Sequence, residues 1–85
     1  MATATPTPAP NPDALKFTLS TTLPGRLNYK SAGDAGDDPF AAAVFAAPGV
    51  VAVFGTNDFV TVTRAPGAPW EPIIEAVQDA AGRYL

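Results

Sequence analysis

Asp34, Asp37 and Asp38 crowd the segment SAGDAGDD, and their spacing first suggests a cation site. A calcium loop places oxygens at alternate positions, glycine at the sixth and glutamate at the twelfth. Counted from Asp34 those places hold Pro39 and Phe45, so the pattern fails and the cluster reads as a solvated loop with a helix cap. Gly33 and Gly36 lie in the same loop. A phosphate cradle needs GxGxxG after a strand, or a glycine-rich loop ending in Lys-Ser/Thr, and the aspartates would repel phosphate. Ser20, Thr21 and Thr22 offer hydroxyls without a base, since no SxxK motif covers them. Glu71 and Glu75 stand one helical turn apart, as an acid–base pair can, yet both fall on the polar side of an amphipathic helix.

The 85 residues contain no cysteine and no histidine. That removes disulfides, thiolate chemistry and the usual zinc or iron–sulfur ligands, together with the commonest general base near neutral pH. No catalytic residue, metal ligand or cofactor site is expected, and the chain reads as a non-enzyme. Five Lys+Arg against eight Asp+Glu, a net charge of −3, supply no concentrated basic face for nucleic acid and no polybasic membrane anchor. No apolar run approaches the ~20 residues that span a bilayer. The opening MATATPTPAP lacks the basic and apolar regions of a secretory signal and the arginines of a transit peptide, so a cytoplasmic protein is expected.

The elements that must carry any function follow from periodicity. Pro6, Pro8, Pro10 and Pro12 recur at every second residue, fix φ and remove donors, so residues 1–12 are expected to be a flexible tail and 13–85 one domain. In residues 14–20, Leu15, Phe17 and Leu19 alternate with Lys16, Thr18 and Ser20, a strand with one face to be covered. Pro24-Gly25 signals a turn, and residues 27–30 suit a short second strand. Asp38-Pro39 opens a helix, with Phe40, Ala43, Val44 and Ala47 on one stripe, and Pro48-Gly49 stops it. Residues 50–54 and 59–64 read as an antiparallel hairpin around the turn-rich GTND. Trp70, Ile73, Ile74, Val77, Ala81 and Tyr84 predict a last helix over 70–84, with Trp70 in or near the core rather than a binding anchor. The fold class expected is α+β, a two-layer sandwich of order β-β-α-β-β-α. Its mainly antiparallel four-stranded sheet carries two helices on one face.

One stretch carries more apolar surface than that fold needs. In residues 50–54 both parities are apolar, and Phe59 shares the parity of Thr61 and Thr63. Val51, Val53, Phe54 and Phe59 are therefore the candidate partner surface. The competing reading has Phe54 and Phe59 closing the hairpin turn against each other.

Four motifs occur in order: Pro10-Asn11-Pro12 with Leu15-Lys16-Phe17, then Pro48-Gly49-Val50, then Asp58 to Val62, then Trp70 opening an amphipathic helix. In that order they resemble the N-terminal domain of the Nfu/NifU-like iron–sulfur scaffold proteins, over about residues 10 to 85. The resemblance implies a role in assembling or delivering iron–sulfur clusters. In two-domain members a CxxC pair of a following domain holds the cluster, and these 85 residues contain no cysteine. What it implies here is the fold and a docking role, with no functional residue carried over and iron binding left without ligands. The function expected is a non-catalytic protein-interaction module, accessory to iron–sulfur assembly and partnered by assembly or client proteins, as a monomer or weak homodimer. The alternative is a regulatory domain binding a small molecule or metal ion, with a pocket between sheet and helices or a carboxylate site at Asp34 and Asp37.

Overall fold

A computed structural model describes residues 2–8, 13–23 and 25–85. The Pro10-Asn11-Pro12 opening and Pro24 lie outside them. The elements are β1 (Ala4–Pro8), β2 (Ala14–Leu19), β3 (Leu27–Tyr29), α1 (Ala32–Ala35), α2 (Pro39–Phe45), β4 (Val50–Thr56), β5 (Phe59–Arg64) and α3 (Trp70–Tyr84). The five strands form one antiparallel sheet in the order β1-β2-β5-β4-β3.

The fifth strand corrects the expected four, and it lies in the segment expected to be a tail. The reason is geometric. Ser20 donates its N–H to the Thr3 carbonyl at 3.0 Å, and Thr3 donates its own to Ser20 Oγ at 2.8 Å, so the Thr3 backbone faces β2. Alternation then turns Thr5 and Thr7 toward β2 and aims the ring nitrogens of Pro6 and Pro8 off the sheet edge. A proline at every second residue loses no ladder bond there, whereas in a central strand it would. The outward Ala4 carbonyl accepts from Gln78 Nε2 of α3 at 3.2 Å. A Cβ on Gly82 would lie 4.0 Å from the Ala2 carbonyl, so the end of α3 rests against the start of β1.

The segment SAGDAGDD is the second correction. It was expected as loop, but a helical turn, α1, forms because Ser31 Oγ accepts from the Asp34 N–H at 3.2 Å. Asp38 caps α2 as expected, its Oδ1 accepting from the Ala41 N–H at 3.1 Å with Pro39 in the first turn. The other oxygen, Oδ2, accepts from the Tyr29 hydroxyl at 3.0 Å and ties α2 to β3. That bond to Asp38, with lesser contributions from desolvation and from the carboxylate's charge, raises the Tyr29 pKa above its ordinary value.

One face of the sheet carries the core. Phe17 and Leu19 of β2, Val60 and Val62 of β5 and Val53 of β4 pack with Phe40 and Val44 of α2 and Ile73, Val77, Ala80 and Ala81 of α3. Trp70 packs at the margin of this cluster, as its stripe predicts, and lies under the Arg64 guanidinium with 5.0 Å between carbon and ring centroid. Arg64 also bonds the Ala68 carbonyl at 2.7 Å and pairs with Asp13 at 3.3 Å, joining the start of β2, the end of β5 and the approach to α3. Gly49 ends the α2 connection at φ 90°, where a Cβ would sit 2.4 Å from the Ala68 Cβ, so only glycine fits.

Candidate functional site

Among the described residues, no helix packs on the opposite face of the sheet. Cross-strand register sets its side chains in rows. One runs Thr7, Lys16, Thr61, Phe54, Asn28 from β1 to β3, and the next runs Thr5, Thr18, Phe59, Thr56. Phe54 is 36% exposed, and Phe59 is half-buried beside it, the ring centroids 6.3 Å apart and tilted by 45°. Lys16 Nζ stands 4.6 Å from the Phe59 centroid, a cation over an aromatic face. The geometry fits the reading in which the two rings close the hairpin turn against each other. The rings touch near the hairpin turn, where Asn57 takes φ 53°, and they still leave apolar surface open to solvent.

The four candidate residues do not share this face. Val53 is 1% exposed and belongs to the core, which corrects its assignment to a partner surface; Val51 is 41% exposed. Strict alternation would put both on one side. The pairing Val50↔Arg64 followed by Ala52↔Thr63 inserts an extra residue into β4, and this bulge swings Val50 and Val53 together toward the helices. Lys16 and Thr18 share the face with the phenylalanines, which could have been read from their parity opposite Phe17.

The other candidates are absorbed by local structure. The Asp34 carboxylate accepts from the Lys30 N–H at 3.2 Å, and both Asp38 oxygens are engaged as described. Ser20 Oγ accepts from Thr3. Glu71 and Glu75 are exposed on α3, where a shallow depression lined by Pro72, Glu75, Ala76 and Asp79 belongs to one helix, outside the sheet–helix interface in which a pocket was expected. Among the described residues no three His, Cys, Asp or Glu side chains gather as a metal site. With no thiolate or imidazole in the sequence, the residues present do not fit an iron–sulfur cluster. No helix among the described residues is long and apolar enough to cross a membrane.

Comparison with known proteins gives a consistent picture. The family described as "Scaffold protein Nfu/NifU N terminal" matches residues 4–85, a span that begins at the first residue of β1. The chain is 38% identical over 64 residues to NifU-like protein 5, mitochondrial, of Arabidopsis thaliana, covering 73% of this chain and 23% of that protein. It is 37% identical over 67 residues to the NFU1 iron-sulfur cluster scaffold homolog, mitochondrial, of Drosophila erecta, covering 75% and 24%. The chain thus spans about a quarter of the length of these curated relatives. The solution structure of a NifU-like protein from Saccharomyces cerevisiae superposes with a TM-score of 0.81 at 21% identity, covering 94% of this chain and 75% of that one, a likeness of fold. The crystal structure of protein SAV1430 from Staphylococcus aureus gives 0.74 at 26% identity, covering 88% and 92%.

Proposed function

Because the chain belongs to the Nfu/NifU scaffold N-terminal family, we propose that it is a non-catalytic protein-interaction module accessory to iron–sulfur cluster assembly or delivery. Its partner surface is the open sheet face around Phe54 and Phe59. The relatives named as iron–sulfur cluster scaffolds support the process. The observation that carries the surface is the uncovered aromatic pair on a sheet whose other face is fully packed. A folded domain this small gains nothing for its own core from Phe54, and exposed apolar area of this kind marks contact surfaces. The cluster is cargo of the process, and this stretch of chain contributes shape and not ligands.

The test is affinity capture from a cell lysate with the chain and with its Phe54→Asp variant, the eluates identified by mass spectrometry. Iron–sulfur assembly or client proteins are expected with the parent and lost with the variant. Recovery of none of them with the parent removes the pathway; equal recovery by both removes the surface.

A further inference from the structure

The open face differs in charge from the rest of the molecule. Three of the five basic residues surround it. Lys16 is on β2, and Arg26 and Lys30 flank β3 with the parity of Asn28, which lies on the open face. All three are exposed, and the ion pairs formed among the described residues use Arg64 and Arg83 instead. Six of the eight acidic residues lie on the other layer, in α3 and around α1 and α2, while Asp13 precedes β2 and Asp58 sits in the β4–β5 turn next to Phe59. From Lys16 through Thr61 and Phe54 to Asn28 the row crosses three strand spacings, roughly 14 Å. Positive charge thus brackets an aromatic centre, on a chain whose net charge is −3.

The geometry points to an acidic protein segment with one aromatic or large aliphatic anchor as the occupant of this face, an inference that rests on the interaction reading above. The anchor sits against Phe54 and Phe59, the desolvated centre. Its flanking carboxylates reach Lys16 on one side and Arg26 and Lys30 on the other, the polar rim that steers encounter and fixes register. The segment lies on the face and does not extend the sheet at β1, because Pro6 and Pro8 withhold donors at that edge. A second copy offering the same face would set these cations against themselves. Single-stranded nucleic acid would find aromatic platforms but only three cations around them, on an acidic chain.

The experiment pans a phage library of short random peptides on the chain and, in parallel, on a Lys16→Glu/Arg26→Glu/Lys30→Glu variant whose fold is verified by circular dichroism. A synthetic peptide of the selected consensus is then titrated into the labelled parent and followed by amide chemical shifts. Peptides rich in Asp and Glu around an aromatic or leucine are expected on the parent. Their shifts should centre on β2, β4 and β5, and charge reversal should weaken them about tenfold, the equivalent of three exposed ion pairs. Consensus peptides without acidic bias, or bound equally by the variant, overturn the charge inference; shifts on the open face then keep the interaction surface standing. Shifts confined to the helical layer overturn both. Tighter binding of a mixed-sequence single-stranded oligonucleotide, or self-association abolished by the charge reversal, overturns the acidic segment in favour of that occupant.

Discussion

Val51 and Val53 are two residues apart in one strand, and their replacement by threonine should have opposite consequences. Threonine keeps the branched shape, so each change substitutes a hydroxyl for a methyl with little change in volume or strand preference. At Val53, 1% exposed, the hydroxyl enters the core. The nearby backbone groups are committed to the ladders with β3 and β5. An unsatisfied buried hydroxyl costs about 1–3 kcal/mol, and the lost methyl contributes roughly 0.8 kcal/mol more. At Val51, 41% exposed, water solvates the hydroxyl and the cost should stay within about 0.5 kcal/mol. Urea unfolding followed by Trp70 fluorescence reads the difference. With a slope of about 1 kcal/mol per molar, at the low end for a small domain, Val53→Thr should move the midpoint down by about 2–4 M and Val51→Thr by less than about 0.5 M. A total stability near 5 kcal/mol leaves the first variant measurable. Equal shifts for the two variants would refute the bulge between Val50 and Ala52 and the facing of β4 built on it.

Tyr29→Phe removes the bond to Asp38 and should cost about 1 kcal/mol near neutral pH. Because the Tyr29 pKa is raised, that contribution is complete below the ordinary value of 10.0 and is lost as pH rises through the raised one. Urea midpoints of parent and variant should therefore differ at neutral pH and converge in strong alkali. Gly49→Ala forces a side chain into a left-handed position against Ala68 and should cost about 2–4 kcal/mol, lowering the melting temperature by roughly 4–8 °C per kcal/mol in calorimetry. Pro6→Val with Pro8→Val restores donors to the outer edge of β1 and should produce more concentration-dependent association in sedimentation velocity than the parent shows; a variant that sediments as the parent does would refute edge protection by the prolines.

Most of the architecture was legible wherever one period dominated. Leu15, Phe17 and Leu19 announce β2, Val60 and Val62 announce β5, and the Ile73–Val77–Ala81 stripe announces α3, because each element buries one side only. The Asp38-Pro39 cap marked the start of α2 for the same local reason that it forms. Two of the misses, β1 and Val53, share a cause, which is that they depend on a neighbour distant in sequence; α1 turns instead on the local Ser31 cap to Asp34. Pro6 and Pro8 exclude a central strand but suit an edge, and edge status is decided by where β2 lies. Val53 reached the core because β4 takes up an extra residue against β5, and no alternation rule within residues 50–54 contains that event. Phe54 and Phe59 share a face by register, while the position of β3, with Arg26 and Lys30 on either side of it, at the sheet margin beside β4 is set by long-range pairing.

Gln78 against the Ala4 carbonyl, and Gly82 beside that of Ala2, bring the start of β1 and the end of α3 to a common corner. A fluorescent protein or immobilisation tag fused at either end would project from that corner, with Phe59 two strands away and Phe54 three, roughly 10 and 14 Å across the sheet. Donor and acceptor dyes placed one at each end would report transfer near its maximum while the module is intact and lose it on unfolding. Tethering by either end would leave the aromatic pair equally accessible to whatever it meets.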